Sequence, residues 1–415
     1  MYSEKNSYAI KLNYLIDKKG NNFMNYREES LKKHALWKGK IESAYKFKIT
    51  NKEELGVAYT PGVAAPCLAI KENPELSFEL TARWNTVPVI TDGTAILGLG
   101  DIGPKAGMPV MEGKCALFKQ FGNVDAYPIC LDTKDPDEII RTIEIMAGSF
   151  GGINLEDISA PRCFEIEQKL KEKLDIPVFH DDQHGTAIVV GAALLNACRL
   201  LKKEISSLKA VVNGAGAAGI AISKYIMKLG IKDIKVLDRN GIICDTDEFN
   251  APQRELAKVI NPNNVHGNLK EALVGANLFI GVSVANLVSK DMVRTMSENP
   301  ILFPLANPVP EISYQDAKEA GAFIVGTGSS ENPNQINNVL VFPGLFRGAL
   351  DARANTVNEE MMLAASKGIC ECVKDEELSQ EYILPYAWDQ RAHDSVAAHV
   401  KEAAIASGVS KLYKK

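Results

Sequence analysis

The sequence has no Cys-x-x-Cys pair, although it contains eight cysteines in 415 residues. Such pairs are typical of zinc sites and redox motifs, and regularly spaced cysteines in a short secreted chain indicate a disulfide framework. The scattered thiols instead predict reduced cysteines in a cytoplasmic protein, most of them packed as small apolar side chains. They are Cys67, Cys115, Cys130, Cys163, Cys198, Cys244, Cys370 and Cys372.

The chain also lacks an excess of positive charge, a signal peptide and an apolar run long enough to cross a membrane. Its formal net charge of −5 argues against a nucleic-acid partner, which generally needs a basic surface. Lys5, Lys11, Lys18 and Lys19 interrupt the apolar stretches of the N-terminus, so we expect no secretory leader. We therefore expect neither a nucleic-acid partner nor a membrane association.

The length and the hydrophobic pattern predict an α/β protein with more than one domain, since 415 residues exceed one typical core. Short apolar runs alternate with helical patterns over residues 87–179 and again over 209–325, which predicts parallel strands. Glycine and proline predict a loop or short turns at Leu55–Pro66. The predicted parts are a polar N-terminal extension (1–23), an N-terminal α/β domain (24–185), a second α/β domain (186–345) introduced by a long helix at Thr186–Lys203, and C-terminal helices (346–415) that pack back on the first domain.

A glycine-rich segment follows the first apolar run of the second series. Gly214, Gly216 and Gly219 have the G-x-G-x-x-G spacing, which permits a tight turn, close approach of a pyrophosphate and close helix packing. The segment predicts a Rossmann-type dinucleotide-binding domain, and a purely structural glycine turn is the alternative. The residues expected to bind the cofactor phosphates are Gly214, Ala215, Gly216, Ala217, Ala218 and Gly219.

The acid that closes the next predicted strand bears on the choice of coenzyme. Asp238 is placed to bind the ribose hydroxyls, which favours NAD. The adjacent Arg239 is a candidate partner for a 2′-phosphate, so NADP is the alternative coenzyme.

Two pairs of adjacent acids follow apolar runs, Glu156 with Asp157 and Asp181 with Asp182. Because parallel strands end at the same edge of a sheet, the two pairs are able to converge there. Three or more carboxylate oxygens completed by water suit Mg²⁺ or Mn²⁺. The alternative is that the acids cap helix N-termini.

Four other titratable side chains have both a structural and a chemical interpretation. His180 and His184 flank the second acid pair, but zinc is disfavoured without an H-E-x-x-H arrangement or cysteine partners. Lys114 starts a helix with an apolar face; it is either a solvated surface group or a general base whose pKa falls toward neutrality. Tyr59 is either a packed turn residue or a general acid.

Taken together, these segments resemble the malic enzyme family from about Glu53 to Ala352, with the order and spacing of its compact microbial branch. The segments that carry the resemblance are A-Y-T-P-G-V (58–63), T-D-G-T-A-I-L-G-L-G-D-I-G (91–103), M-P-V-M-E-G-K (108–114), N-L-E-D-I-S (154–159), F-H-D-D-Q-H-G-T-A (179–187), G-A-G-A-A-G (214–219), L-A-N-P-V-P-E (305–311) and I-N-N-V-L-V-F-P-G (336–344).

The resemblance implies oxidative decarboxylation of L-malate to pyruvate and CO₂, with reduction of NAD or NADP and assistance from Mg²⁺ or Mn²⁺. Lys114 matches the family's general base, Tyr59 its general acid, and Asp181 the neighbour that orients Lys114. The residues that match the metal ligands are Glu156, Asp157 and Asp182. The asparagines that match those near substrate and nicotinamide are Asn307 and Asn338, with Asn337 as the alternative to Asn338.

The resemblance departs from the larger malic enzymes at one substrate contact. Those enzymes have an arginine for a malate carboxylate in the D-G-x-x-I-L-G-L-G segment, where this chain has Thr94 and Ala95. Arg162 is our candidate replacement.

The resemblance also implies a homodimer, in which a site can include residues of both chains. A malolactic or oxaloacetate-decarboxylating activity on the same scaffold is the main alternative function. A non-enzymatic nucleotide-binding regulator is disfavoured because Lys114, Tyr59 and the acids are all present. A general amino-acid dehydrogenase would share the two-domain plan but would not need two acid pairs.

Overall fold

The computed structural model describes residues 26–96 and 99–412, and the chain divides into two compact units, 1–42 and 43–415. The described part of the first unit contains helix α1 (Tyr26–Trp37), of which no residue is buried. The predicted N-terminal extension, residues 1–23, lies outside the described residues.

The second unit begins with three short helices and a four-stranded parallel sheet. The helices are α2 (Lys52–Ala58), α3 (Ala64–Glu72) and α4 (Ser77–Leu80). The strands are β1 (Thr86–Thr91), β2 (Asp125–Cys130), β3 (Ile153–Leu155) and β4 (Val178–His180), in the order β2-β1-β3-β4. The helices that connect them are α5 (Pro104–Gly122), α6 (Pro136–Met146) and α7 (Arg162–Lys173).

A second sheet follows, in the order β10-β9-β8-β5-β6-β7, and β7 at its edge is antiparallel. Its strands are β5 (Lys209–Asn213), β6 (Asp233–Asp238), β7 (Gly241–Ile242), β8 (Leu278–Gly281), β9 (Ile301–Pro304) and β10 (Ile324–Val325). The accompanying helices are α8 (Asp181–Leu201), α9 (Ala217–Lys228), α10 (Ala251–Ile260), α11 (Leu269–Leu273), α12 (Lys290–Arg294) and α13 (Tyr314–Glu319).

Three C-terminal helices complete the unit and pack on helices of both sheets. They are α14 (Phe342–Asp351), α15 (Glu359–Glu371) and α16 (Gln390–Ala406). Helices α14 and α16 pack against α5, and α15 packs against α8. The rings of Phe118 and Phe342 lie 4.7 Å apart at the α5–α14 contact. The 3₁₀ helices are Pro74–Leu76, Ala82–Asn85, Ala147–Ser149, Ile205–Ser207 and Asn338–Leu340.

Helix α8 corrects two expectations. It begins at Asp181 rather than Thr186, so both acids of the second pair lie in its first turn. Its 21 residues are also long and apolar enough to cross a membrane by length and composition, contrary to the expectation that no segment is. The physical reason is burial: 67% of the most apolar window lies inside the protein, between α9 and α15, and a buried helix is apolar on most sides.

The prediction of a loop or short turns at Leu55–Pro66 is partly wrong. Helix α2 continues through Ala58, and α3 already starts at Ala64, so the irregular part is confined to residues 59–63. Asn51 caps α2 by accepting a hydrogen bond from the Glu54 backbone N–H, and this cap offsets the helix-breaking effect of Gly56.

Candidate active site

Both acid pairs lie at the edge of the first sheet where β3 and β4 end. These strands are parallel neighbours, paired from Ile153–Val178 to Leu155–His180, so the residues after them meet. The backbone N–H of Asp157 donates a 2.7 Å hydrogen bond to the Asp182 carboxylate. Helix α8 has no side-chain cap, so neither acid of its first turn serves as the predicted helix cap.

Lys114 joins the two pairs from a third element, α5. Its side chain is only 6% exposed, and Nζ donates a 2.6 Å hydrogen bond to Glu156 Oε1 and a second one to Asp181 Oδ2. The ammonium also lies 4.2 Å from the centre of the Phe342 ring, a cation–π contact. A solvated surface position, one of the two interpretations of the sequence, is therefore excluded for Lys114.

Burial and mutual repulsion control the charges of this cluster. Burial alone lowers the pKa of Lys114, but Asp181 and Glu156 outweigh it and raise the pKa above its ordinary value. Burial raises the pKa of Asp181 to about 6 against the attraction of Lys114. Burial also raises the pKa of Glu156, and the neighbouring Asp182 adds to that effect. One lysine thus faces more acids than it neutralises.

The acids suit a divalent cation by donor type and by charge. Among the described residues, no three His, Cys, Asp or Glu side chains are arranged as a preformed metal site. Glu156 Oε1 is engaged with Lys114, and Oε2 accepts a 3.1 Å hydrogen bond from Asn154. Asp181 Oδ1 is buried without a hydrogen-bond partner. The donor set fits the ion, and one of its members, Glu156, also pairs with Lys114.

The two histidines differ in their contacts. His180 is fully buried, and its Nε2 lies 3.8 Å from Asp182 Oδ2, beyond hydrogen-bond distance. His184 Nε2 lies 2.9 Å from each carboxylate oxygen of Glu167 on α7. Because this nitrogen is hydrogen-bonded to Glu167, it is not directed at the acid pair.

Arg162 contacts the segment in which the larger malic enzymes have their arginine. Its guanidinium donates hydrogen bonds of 2.9 and 3.2 Å to Asp92 and one of 2.7 Å to Thr94 Oγ1. Arg162 opens α7, and Thr94 Oγ1 also accepts from the Ser159 backbone N–H. The structure therefore brings Arg162 and Thr94 together.

The asparagines occupy different places. A Cβ added at Gly185 of α8 would lie 1.9 Å from Asp181 Oδ1 and 3.1 Å from Asn338 Cβ, so Asn338 adjoins the acid cluster. Asn337 is engaged as a cap, since its side chain accepts from the Val339 backbone N–H at 3.0 Å. Asn307 is exposed and lies close to Gly328.

Tyr59 stands apart from the buried cluster within this single chain. It follows α2, it is 67% exposed, and its hydroxyl makes no hydrogen bond to the described residues, whereas its backbone pairs with Leu55 and Val63. The helices on either side, α2 and α3, contain no buried residue.

The glycine-rich segment borders a cleft of ≈ 570 Å³ at the carboxyl ends of β5, β6 and β8. Gly214 has φ +115°, and a Cβ at Gly219 would lie 1.7 Å from the Gly214 carbonyl oxygen, so both positions require glycine. A Cβ at Gly216 would meet nothing within 4 Å, which leaves room beside the backbone. Asp238 and Arg239 both line the cleft.

Comparisons with known proteins place the chain in a family. Family models of the malic enzyme N-terminal domain and the malic enzyme NAD-binding domain match residues 38–171 and 183–405. The chain is 51% identical over 391 residues to the bifunctional malic/malolactic enzyme of Bacillus subtilis, covering 94% of this chain and 95% of that protein. It is also 51% identical to the NAD-dependent malic enzyme of Geobacillus stearothermophilus, covering 90% and 78%. The chain belongs to the malic enzyme family.

Solved malic enzyme structures share the fold. The NAD-dependent malic enzyme of Thermotoga maritima has a TM-score of 0.86 and 47% identity, covering 90% of this chain and 98% of that one. The malic enzyme of Pyrococcus horikoshii has a TM-score of 0.88 and 44% identity, covering 94% and 92%. The predicted α/β fold with a Rossmann-type NAD-binding domain is confirmed, as is the prediction of an NAD(P)-dependent malic enzyme.

The sequence analysis of this malic enzyme missed two residues that contact the site. Phe342 covers Lys114, and the F-P-G segment containing it had no assigned role. Glu167 lies on the buried face of α7 with Cys163, Ile166 and Leu170. An acid at helical spacing among apolar residues is the signal that would have identified it, because a buried carboxylate needs partners.

Proposed function

We propose that this malic enzyme converts L-malate to pyruvate and CO₂ with Lys114 as general base, using a divalent cation held by Glu156, Asp157 and Asp182. The observation that carries the proposal is the buried Lys114 between Glu156 and Asp181. When bound, Mg²⁺ or Mn²⁺ would polarise the substrate oxygens and the nicotinamide would accept the hydride, which is the chemistry these reactions require.

The chain's own residues would move the protons. Lys114 would take the proton of the malate hydroxyl once it has lost its own, and Asp181 would orient the amine through the hydrogen bond to Nζ. The apolar neighbours of Lys114, including Phe342, exclude water from this transfer. Arg162, Asn307 and Asn338 would hold the substrate, with Arg162 in place of the family's arginine.

We further propose a homodimer that covers the surface of α2 and α3. Its support is that these helices bury none of their residues in the single chain, while Leu55, Val57 and Leu68 are exposed apolar side chains. Tyr59 lies on the same surface, so the dimer is the arrangement that would give it a substrate to protonate. We propose that the two chains thereby complete each other's sites.

For the coenzyme we propose NAD over NADP, because the Asp238 carboxylate lines the cleft at the end of β6. Arg239 beside it supports NADP as the alternative.

The eight cysteines, all free thiols in the structure, support a location in the cytoplasm.

A malolactic activity is the second candidate, favoured by the 51% identity to the bifunctional relative. Product analysis tests both functions. With malate, coenzyme and Mn²⁺, the proposal expects one pyruvate, one CO₂ and one reduced coenzyme for each malate consumed. Lactate without net coenzyme reduction would establish malolactic conversion instead.

A further inference from the structure

Glu167 is a buried carboxylate to which the proposed reaction assigns no role. It is 5% exposed on α7, and its oxygens accept four kinds of hydrogen bond. The donors are His184 Nε2 at 2.9 Å, Lys171 Nζ at 2.7 Å, Gln183 Nε2 at 3.4 Å and the His180 backbone N–H at 3.3 Å. A carboxylate out of water is tolerated because these donors satisfy it.

Three of the four donors belong to residues 180–184, the segment that also contains Asp181 and Asp182. Helix α8 starts here without a side-chain cap, so its first N–H groups need partners from outside the helix. Glu167 provides one of them from α7, the helix that begins at Arg162. Burial disfavours a charged Glu167, but His184 and Lys171 outweigh burial and hold the pKa of Glu167 well below its ordinary value.

We propose that Glu167, with His184, is a positioning residue that fixes the first turn of α8 and thereby places the Asp182 carboxylate for the metal. This inference rests on the proposed metal-assisted function. Glu167 hydrogen-bonds residues on both sides of Asp181 and Asp182 in the sequence. It accepts from the His180 backbone, which precedes the pair, and from the Gln183 and His184 side chains, which follow it. The Asp182 carboxylate itself accepts a hydrogen bond from the Asp157 N–H, so Glu167 acts on its position only through the neighbouring residues of α8.

The direct test is Mn²⁺ affinity without substrate, measured from the electron paramagnetic resonance signal of free Mn²⁺. Glu167→Gln keeps the side-chain shape and should weaken Mn²⁺ binding about 10- to 100-fold, the range for partners that orient metal ligands. Glu172→Gln makes the same charge change at an exposed position of α7 and should leave the affinity unchanged. Wild-type affinity in a folded Glu167→Gln protein would overturn the inference.

His184→Gln separates positioning from simple charge, and it provides the test if Glu167→Gln does not fold. A positioning role predicts weaker Mn²⁺ binding, because α8 loses the 2.9 Å contact between His184 and Glu167. A purely electrostatic role predicts unchanged or tighter binding, since no negative charge is removed, and that result would overturn the inference.

Asp182→Asn distinguishes this inference from the proposed function. If Asp182→Asn loses Mn²⁺ binding while Glu167→Gln keeps it, only the role of Glu167 is contradicted. If Asp182→Asn binds Mn²⁺ normally, the metal assignment itself is wrong, and the role of Glu167 toward that metal is overturned with it.

Discussion

Lys114 and Glu156 form a buried ion pair, with 2.6 Å between Nζ and Oε1. The proposed base and a proposed metal ligand are therefore directly hydrogen-bonded to each other. A cation bound by Glu156 would weaken the attraction between this carboxylate and Lys114, which is one of the interactions that raise the pKa of Lys114. The proposed metal binding and the proposed activation of the base would therefore be coupled through this contact.

Replacement of the proposed base tests its role directly. Lys114→Ala should lower kcat for malate oxidation by about 10²- to 10⁴-fold, the usual contribution of a general base. Coenzyme binding, measured by fluorescence titration, should survive because the nucleotide cleft does not include Lys114. Lys119→Ala changes an exposed lysine of the same helix and should retain activity. Near-normal turnover by Lys114→Ala would refute the assignment.

Gly185 provides a test of the position of Asp181. An added Cβ would lie 1.9 Å from Asp181 Oδ1, so Gly185→Ala must displace the carboxylate that contacts Lys114. We expect kcat to fall at least about tenfold because misplaced catalytic groups are costly. Gly148→Ala, where a Cβ meets nothing within 4 Å, is the matched control. Equal kcat values for the two variants would show that Asp181 does not orient the base.

The proposed shared site predicts complementation between inactive proteins. Lys114→Ala and Tyr59→Phe homodimers should each be nearly inactive. Dissociated and reassociated in equal amounts, they form heterodimers with one intact site, so about a quarter of wild-type activity should return. Sedimentation would verify that the mixed protein is dimeric. No recovery from a verified heterodimer would place Tyr59 and Lys114 of one site on the same chain.

The coenzyme prediction depends on Asp238. Asp238→Ala should lower kcat/KM for NAD about tenfold or more, as expected when hydrogen bonds to a charged group are lost. The kcat/KM for NADP should fall less, so the ratio of the two kcat/KM values, NAD over NADP, should decrease. Asp233→Ala removes an exposed acid at the other end of β6 and should change neither value. If Asp238→Ala affects both coenzymes equally, Asp238 does not select between them.

Most strands were predictable from the sequence, because short apolar runs such as Val87–Thr91 alternate with helical patterns, as in parallel sheets. The start of α8 was missed because Asp181 and Asp182 interrupt the apolar pattern, although acids favour the first turn of a helix. Helix α2 is not apparent from the sequence because Gly56 interrupts the helical pattern, whereas in the structure the cap at Asn51 supports the helix.

The site was only partly predictable for a different reason. The motifs indicated Lys114 and the two acid pairs, but no local pattern shows that Glu156 is hydrogen-bonded to Lys114. The contacts of Glu167 arise from packing of α7 on the start of α8, a tertiary relationship that a single sequence does not encode locally.

The most direct test of the account is the initial rate of coenzyme reduction by malate after exhaustive EDTA treatment, with and without added Mn²⁺. The proposal predicts no measurable rate in the metal-free enzyme and full recovery of the rate with Mn²⁺ or Mg²⁺. The recovered initial rate should be higher with NAD than with NADP. Full activity without a divalent cation would contradict the role given to Glu156, Asp157 and Asp182.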